Sequence, residues 1–271
     1  MLNSEFLFHY SSWWSPWLVA VALNSVLAAI AWIAPKKLLT PAGLFHGWLL
    51  GVLIWGCLGW QGYAVVIFYF LVGSGVTRIG LAQKEAAGIA EKRSGARGPE
   101  NVWGSALTGT FCAVGVLVLS IFGEGGQPLL PKSVLSLLLL GYVASFSTKL
   151  SDTCASEIGK AYGKRTFLIT TLQPVPRGTE GAVSLEGTLA GVVASVAIAL
   201  IGWVVGLIDL PGVGFCVVAA FIATNLESLI GATLQSQFEW LTNEFVNFIN
   251  TLLGAVAAVL LAWAWHSFAF L

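Results

Sequence analysis

The sequence predicts an all-α integral membrane protein, built as one domain over residues 1–271 from a polytopic bundle of about eight transmembrane helices. Three observations support this fold class. Hydrophobic residues make up 57% of the chain and charged residues only 10%, whereas soluble domains carry about 25% charged residues. The apolar runs are long and continuous, unlike the short alternating segments of a transmembrane β-barrel. Lysine and arginine are concentrated in alternate loops between these runs, as is typical of polytopic proteins.

Eight apolar runs are long enough, or nearly long enough, to cross a bilayer as helices. They cover residues 17–34, 42–59, 62–77, 104–122, 133–150, 187–208, 212–230 and 245–265. The third run is the shortest, and a re-entrant third segment would reduce the number of spans to seven. Prolines stand at several boundaries, where helices are expected to begin or end. They are Pro35, Pro41, Pro131 and Pro211.

The distribution of basic residues predicts how the spans are oriented. Most lysines and arginines lie in the loops 35–41, 78–103 and 149–186, and the alternate loops hold only Lys132. With eight spans, the three basic loops fall on one side of the membrane, which the positive-inside rule assigns to the cytoplasm. Both termini are then expected on the opposite side.

The first polar motif is KLSDTCASEIGKAYGKR, residues 149–165, which follows the fifth apolar run directly. If the helix continues through it, residues three or four apart lie on one face. That face carries a cation, a carboxylate, a hydroxyl and two glycines, namely Lys149, Asp152, Ser156, Gly159 and Gly163. Carboxylates, including the neighbouring Glu157, can hold Mg²⁺, and glycines leave room for a nucleotide, so this is a candidate phosphate site. The alternative is an interfacial helix end whose charges only face water.

The second motif is QPVPRGTEGAVSLEGTLAG, residues 173–191, at the entrance of the sixth apolar run. Its first half predicts an irregular loop whose backbone N–H groups are available to an anion. Its candidate binding residues are Arg177, Gly178, Thr179, Gly181 and Ser184. Glu186 stands at the mouth of the span as a candidate metal ligand. The alternative is a plain linker.

Two further stretches place polar groups at the start of, or inside, apolar runs. In RGPENVWGS, Arg97 and Asn101 stand where they can meet phosphate oxygens. The charges at residues 91–93 predict only a solvated amphipathic helix.

In ATNLESLIGATLQ, Glu227 interrupts an apolar span, where an unpaired carboxylate is costly, so it is expected to face the bundle interior. The last span presents three asparagines on one face that is also expected to point inward, Asn243, Asn247 and Asn250.

Several kinds of catalytic site are excluded. Four cysteines and three histidines are scattered without metal-ligand spacing, and no Ser-His-Asp arrangement is plausible. The sequence also lacks a Walker A phosphate loop and a kinase-type glycine-rich loop. Any phosphate chemistry must therefore use a fold specific to membranes.

Four motifs together resemble the integral-membrane transmembrane-protein-19-like family, which includes the plant and cyanobacterial phytyl-phosphate kinases. They are SDTCASEIG, VPRGTEGAVSLEGTLAG, RGPENVWGS and ESLIGATLQ, and the resemblance covers about residues 40–260. The first motif and the Ser-Leu-Glu-Gly run at residues 184–187 are also similar to the wider group of CTP-using polyprenol kinases. The chain departs from the family pattern at Arg177 and Glu180, and at Glu227, where aspartate is common.

The resemblance implies an enzyme that transfers a nucleotide γ-phosphate to an isoprenoid monophosphate, giving the diphosphate used in tocopherol and phylloquinone synthesis. It implies Mg²⁺ as cofactor and CTP, or UTP or GTP, as phosphate donor. Asp152, with Glu157 or Glu186, would hold the metal. Lys149, Arg97 and Arg177 would neutralise phosphates, and Glu227 would complete the site. The nucleotide would contact Ser156, Gly159, Gly163, Gly178, Thr179, Gly181, Ser184, Asn101 and Asn247.

The expected partners are an isoprenoid phosphate lipid, a nucleoside triphosphate and membrane lipids, with no nucleic acid. The expected location is a bacterial or cyanobacterial inner or thylakoid membrane. A phytol or polyprenol kinase, which would need Asp152 or Glu227 as a base, and a CTP-dependent lipid cytidylyltransferase remain open. A transporter, with Glu227 and the asparagines lining a path, remains open as well. The clustering of charge at one face favours an enzyme over a transporter.

Overall fold

The computed structural model describes residues 15–35, 37–121, 132–235 and 237–268. Within these residues the chain is mostly helical, and seven helices are long and apolar enough to cross a membrane. Together with one short helix, they are α1 Pro16–Ile33, α2 Pro41–Thr77, α3 Leu81–Ala86, α4 Pro99–Ile121, α5 Lys132–Tyr162, α6 Leu185–Val204, α7 Leu210–Thr233 and α8 Asn243–Phe268. The predicted all-α transmembrane bundle is therefore confirmed.

Helix α2 contains two of the predicted spans, because it folds back on itself at Gly59. This residue has φ 64° and ψ −160°, a conformation that glycine adopts readily. A Cβ added to Gly43 would lie 2.3 Å from the Arg97 carbonyl oxygen, and one added to Gly73 would lie 2.8 Å from Arg97 Nη2. A straight helix would separate these two glycines by about 45 Å. The second and third predicted spans are thus antiparallel arms, each about 27 Å long.

The three basic loops meet at one end of the bundle. Arg78 donates a hydrogen bond to the Lys37 carbonyl oxygen at 2.9 Å, which joins the first loop to the second. Lys84 forms an ion pair with Glu157, which joins the second loop to the third. With α2 folded back, α1 begins and α8 ends at the opposite end, as the eight-span prediction requires. The assignment of the basic end to the cytoplasm stays a prediction.

Helix α5 is the centre of the bundle and contacts α2, α4, α6, α7 and α8. Tyr142 and Phe146 on this helix are fully enclosed, with 0% of their surface exposed. Of its buried hydroxyl groups, Ser145 donates to the Tyr142 carbonyl oxygen at 2.8 Å and Ser147 donates to the Ser195 carbonyl oxygen on α6 at 3.2 Å, whereas Thr148 Oγ1 has no partner among the described residues. The helix continues without a break to Tyr162, so it carries the first polar motif out of the core to the basic end.

Two short strands lie at the basic end, β1 (Thr166–Leu168) and β2 (Ala182–Ser184). They pair antiparallel and close the glycine-rich segment between them into a loop. Ser184 then caps α6, because its Oγ accepts a hydrogen bond from the Gly187 N–H at 3.1 Å. The irregular loop predicted for the first half of the second motif lies between the two strands, and the second half begins with β2 before it enters α6.

The predicted amphipathic helix through residues 91–93 is wrong. Helix α3 ends at Ala86, and Gly88 follows with φ 69°, a left-handed conformation that ends helices. A 3-10 turn then forms at Lys92–Gly95, in which two residues besides the glycine have positive φ. This turn brings residues 91–93 to the edge of the cleft described below.

We expect Gly254→Ala, in α8, to destabilise the bundle. A Cβ at this position would lie 2.0 Å from Thr148 Oγ1 and 2.8 Å from Thr148 Cβ on α5, so rotation of Thr148 cannot relieve the overlap. Overpacking of this kind costs about 1–3 kcal/mol. Gly214→Ala in α7 is the matched control, because no described atom lies within 4 Å of the added Cβ. Thermal unfolding in detergent should show a lower midpoint for Gly254→Ala only, and equal midpoints would contradict this packing.

Candidate functional site

A cleft opens at the basic end of the bundle, where α5, α6, α7 and α8 meet the loops that precede α4 and α6. Residues from all four polar motifs line it. Its volume is about 250 Å³, near the lower limit for small-molecule sites. The cleft is therefore large enough to enclose phosphate groups.

Lys149 on α5 is the centre of this cleft. Its ammonium group lies 2.5 Å from the Asp152 carboxylate and donates to Asn247 Oδ1 on α8 at 2.6 Å. Lys149 and Asp152 are each only 7% exposed. Buried charges are tolerated when they are paired and hydrogen-bonded, as these are. The pair forms along one helix because the two residues are three positions apart, as the spacing predicts.

Glu227 on α7 faces this pair from a different helix. Its carboxyl group lies within hydrogen-bonding reach of the Asp152 carboxyl group and within electrostatic range of the Lys149 ammonium group. Glu227 therefore adds a second carboxyl group near the Lys149 ammonium group, whose ion pair is formed with Asp152. When both are ionised, the centre carries a net negative charge and attracts a cation.

The donor set at this centre suits Mg²⁺. This ion is usually held by one or two carboxylates, with water and substrate phosphates completing its octahedral shell. Asp152 and Glu227 supply two carboxylates, and Asn247 supplies an amide oxygen beside them. Among the described residues, no group of three or more histidine, cysteine, aspartate or glutamate side chains could hold a metal ion. Two carboxylates and one amide oxygen would leave positions around a Mg²⁺ ion for water and phosphate oxygens.

Arg97 approaches the cleft from the loop before α4. Two backbone hydrogen bonds of 3.0 Å hold it in place. Its N–H donates to the Leu38 carbonyl oxygen, and its carbonyl oxygen accepts from the Thr40 N–H. Its guanidinium group donates to the Tyr69 hydroxyl at 2.6 Å and lies 5.1 Å from the centroid of the same ring. A guanidinium group has five N–H donors in a rigid fork, so Arg97 is positioned to bind a phosphate as well.

Asn101 lines the cleft and also holds the start of α4. Its Oδ1 accepts from the Gly98 N–H at 2.9 Å, one half of a capping box, and from Arg93 Nη2 at 2.8 Å. Arg93 lines the cleft too, and it forms an ion pair with Glu100. The structure thus adds Arg93, which the sequence predicted to face solvent, to the cations at this site.

Glu157 lines the cleft but is engaged by two cations. Its carboxylate pairs with Lys84, and its second oxygen lies 3.6 Å from Lys160 Nζ. Lys84 is only 1% exposed and also donates to the Thr77 carbonyl oxygen at 2.8 Å. This pairing makes Glu157 a poorer candidate metal ligand than Glu227. The sequence does not distinguish Lys84 from the other basic residues of its loop, so its role was not predictable.

Two of the predicted charged site residues lie outside the cleft. Glu186 is half-buried in the first turn of α6 and does not line it. Arg177 is exposed, and its Nη1 donates to the Ala161 carbonyl oxygen at 3.0 Å at the C-terminal end of α5. The structure therefore brings neither residue together with Asp152.

The predicted glycines shape the wall of the cleft. Gly159 and Gly163 both face Ser184, and Cβ atoms added to them would lie 3.2 Å and 3.1 Å from its Oγ. Gly178 and Gly181 have φ values of 84° and 74°, which favour glycine. Gly159, Gly178, Gly181 and Ser184 line the cleft, whereas Gly163 does not line it but contacts Ser184.

Two of the hydroxyl groups predicted to contact the nucleotide line the cleft, and both already donate to backbone carbonyl oxygens. Ser156 Oγ donates to the Thr153 carbonyl oxygen at 3.2 Å, and Thr179 Oγ1 donates to the Pro176 carbonyl oxygen at 2.8 Å. Each hydroxyl has one donor hydrogen, so either would have to turn before it could donate to a phosphate.

Two of the three asparagines of α8 point inward, as predicted, whereas Asn243 is exposed at the mouth of the cleft. Asn243 lines the cleft, Asn247 binds Lys149, and Asn250 is only 1% exposed. Polar side chains thus continue below the cleft into the bundle.

Residues 24–255 match a protein family described as Integral membrane protein DUF92. The chain belongs to this family. The membership agrees with the resemblance inferred from the four motifs. Every cleft residue named above lies inside the region that matches the DUF92 family.

Three relatives each align with 90% of this chain. Uncharacterized membrane protein sll0875 of Synechocystis sp. is 67% identical over 244 residues, which cover 90% of each chain. Protein VTE6, chloroplastic, of Arabidopsis thaliana is 46% identical over 247 residues, which cover 90% of this chain and 72% of that protein. Uncharacterized membrane protein MJ0933 of Methanocaldococcus jannaschii is 31% identical over 244 residues, which cover 90% of this chain and 93% of that protein. No solved structure matches the chain.

Proposed function

We propose that this protein is an isoprenyl-phosphate kinase that transfers the γ-phosphate of a nucleoside triphosphate to phytyl monophosphate. The product, phytyl diphosphate, would serve tocopherol and phylloquinone synthesis. The observation that carries the proposal is the centre formed by Lys149, Asp152 and Glu227 in a cleft at the basic end of a membrane bundle. The resemblance of the motifs to those of phytyl-phosphate kinases supports it, and so does the 46% identity to VTE6, a chloroplast protein.

The reaction makes modest chemical demands on the protein. The bond between the γ-phosphorus and the β,γ-bridging oxygen breaks, and the nucleoside diphosphate leaves with the electron pair. A new bond forms between the γ-phosphorus and an oxygen of the acceptor phosphate. Because that oxygen is already anionic, no strong general base is required. The protein must instead align the two phosphates and neutralise their charge.

The side chains of the cleft are suited to these two tasks. Asp152 and Glu227, with Asn247 beside them, would hold Mg²⁺. Bound Mg²⁺ neutralises charge on the β- and γ-phosphates and orients them. Lys149 and Arg97 would contact phosphate oxygens of the donor and the acceptor and so hold them in line. Their positions are set by Asp152 and by Tyr69 respectively.

The membrane arrangement follows from the same proposal. The basic loops would face the cytoplasm, where nucleotides are present, in a bacterial or cyanobacterial inner or thylakoid membrane. CTP is the expected donor, with UTP and GTP as alternatives. The headgroup of the acceptor would enter the cleft while its isoprenoid chain stays among apolar helices.

Product formation by the purified protein tests the proposal. The protein is incubated in nanodiscs with phytyl monophosphate, Mg²⁺ and, in separate reactions, CTP, UTP, GTP or ATP. We expect mass spectrometry to show phytyl diphosphate and the matching nucleoside diphosphate, and EDTA to abolish both.

Other products would assign a different function. Phosphorylation of phytol, but not of phytyl monophosphate, would indicate an alcohol kinase. Pyrophosphate together with a cytidylyl-linked lipid would indicate a cytidylyltransferase. Nucleotide-independent flux across proteoliposomes, without any product, would indicate a transporter.

A further inference from the structure

The cleft extends from the basic end toward the middle of the membrane along the wall between α6 and α7. Thr188 and Val192 of α6 line it, and so do Thr224 and Phe221 of α7. Phe221 stands near the midpoint of α7 and is 48% exposed on the surface of the bundle. A side chain that lines the cleft and is also exposed on a membrane helix marks an opening toward the lipid.

Polarity falls along this wall from the basic end inward. Glu227 lies beside Asp152, Thr224 follows one turn deeper, and Phe221 lies deepest. Glu227 and Phe221 are separated by six residues, or about 9 Å along the helix axis. A ligand with an anionic headgroup and an apolar chain matches this order of side chains, whereas a free nucleotide does not.

The glycines of α6 pack closely against α5, and α6 contacts α7 less extensively. A Cβ added to Gly187 would lie 2.5 Å from the Ala155 carbonyl oxygen, and one added to Gly191 would lie 3.0 Å from the Ser151 carbonyl oxygen. None of the glycines in the described part of the chain makes an equivalent contact between α6 and α7. Opening the wall between α6 and α7 therefore loses less packing than separating α6 from α5 would.

Thr224 gives an independent indication of a ligand in this wall. Its Oγ1 is buried and has no hydrogen-bond partner among the described residues. Two other hydroxyls of α7, those of Ser228 and Thr233, donate to the carbonyl oxygen four residues earlier, at 3.1 Å and 2.7 Å. A buried hydroxyl that forgoes this bond is costly unless something else satisfies it.

We propose that the wall between α6 and α7 is a lateral portal through which an isoprenoid phosphate enters the cleft from the membrane. Thr224 donates to an oxygen of its phosphate, and Val192 and Phe221 contact the first isoprene unit. The identity of this lipid rests on the proposed function. Phe221 is thereby a specificity-determining residue for the chain of the acceptor.

A second apolar cavity provides the rival site for a lipid chain. It has a volume of about 320 Å³ and lies between α1 and the start of α2, where residues such as Trp32, Leu39 and Leu44 line it. Its lining contains Lys37 but neither of the carboxylates of the cleft. Occupation of this cavity alone would keep the lipid away from the carboxylates of the cleft.

Photolabelling distinguishes the two sites without requiring turnover. The full chain in nanodiscs is irradiated, without nucleotide, with geranylgeranyl monophosphate that carries a diazirine on its first isoprene unit. We expect labelled positions within residues 188–192 and 221–225, and competition by phytyl monophosphate. Label confined to residues 31–44 would overturn the portal. Diphosphate formation is measured separately. If the protein is labelled at these positions but forms no diphosphate, only the proposed function is wrong. If it forms diphosphate but is labelled elsewhere, only the portal is wrong.

Substitution of Phe221 tests its role in chain selection. Phe221→Trp narrows the portal at the first isoprene unit, and we expect about a tenfold higher KM for geranylgeranyl monophosphate with the KM for methyl phosphate, an acceptor that has no isoprene unit, unchanged. Val218→Trp is the matched control, because Val218 is also 48% exposed on α7 but does not line the cleft. Equal effects of the two substitutions would overturn the assignment of Phe221. If turnover is absent, the same comparison uses the yield of photolabelling.

Substitution of Thr224 tests the headgroup contact. Thr224→Val removes the hydroxyl while keeping the shape, and we expect about a tenfold higher KM for both acceptors with the KM for nucleotide unchanged. Thr224→Ser restores the hydroxyl and should restore the KM. If the KM values of Thr224→Val for both acceptors equal those of the parent protein, Thr224 does not contact the acceptor in the portal.

Discussion

Asp152→Asn is expected to lower the rate of phytyl diphosphate formation by about 100-fold or more, the usual effect of removing one group that stabilises charge at a reacting centre. Asparagine keeps the shape of the side chain and can still accept a hydrogen bond from Lys149, which lies 2.5 Å from the Asp152 carboxylate. It removes the negative charge that would hold Mg²⁺ beside Glu227. The measurement is kcat at saturating CTP and phytyl monophosphate, with Mg²⁺ titrated.

Glu186→Gln is the matched control for this experiment. It removes one carboxylate from a residue that lies outside the cleft, so turnover should stay near that of the parent protein. Thermal midpoints of both variants show whether each is folded. A folded Asp152→Asn protein with parental turnover would exclude Asp152 as a metal ligand, and a large loss in Glu186→Gln would mean that α6 contributes to the reacting centre.

Lys84→Ala is expected to destabilise the protein by about 3–5 kcal/mol, because it leaves a buried carboxylate without its main partner. Lys84 and Glu157 are both about 1% exposed, and they connect α3 to α5. Lys160, 3.6 Å from the second oxygen of Glu157, would compensate only in part. The unfolding midpoint in detergent can be followed with a thiol-reactive dye, since Cys154 and Cys216 are buried free cysteines.

Two further variants show whether the ion pair itself is responsible. Lys164→Ala removes an exposed lysine near the same end of the bundle and should leave the midpoint unchanged. Lys84→Met combined with Glu157→Leu removes both charges and should recover most of the lost stability, because the buried carboxylate is no longer present. The ion-pair explanation fails if the double variant is as unstable as Lys84→Ala.

The helical part of the fold was predictable because membrane insertion depends on local composition. Continuous apolar runs predict spans, since each residue of a run meets the same hydrocarbon environment wherever its neighbours lie. The folding back of α2 was predictable only as a break between two runs. The structure shows that Gly59 makes this break by adopting φ 64° within a segment otherwise assigned as helix.

The centre of the site was predictable to the extent that it lies on one helix. Lys149 and Asp152 are one turn apart on α5, and helical periodicity alone places them on the same face. The same reasoning failed for residues 91–93, where a left-handed glycine and a 3-10 turn replace the helix. Backbone reversals of this kind depend on single residues and leave little trace in a hydropathy pattern.

Composition and periodicity therefore determined that this chain is a helical membrane protein with its charge gathered at one end, and that Lys149 and Asp152 face the same way. The partner of Asp152 was set by the packing of helices that are distant in sequence. Glu227 reaches Asp152 from α7, Glu157 is neutralised by Lys84, and Glu186 stays outside the cleft. The sequence does not show which of the three carboxylates lies beside Asp152, because their ability to bind a cation depends on which charges surround them once the chain has folded.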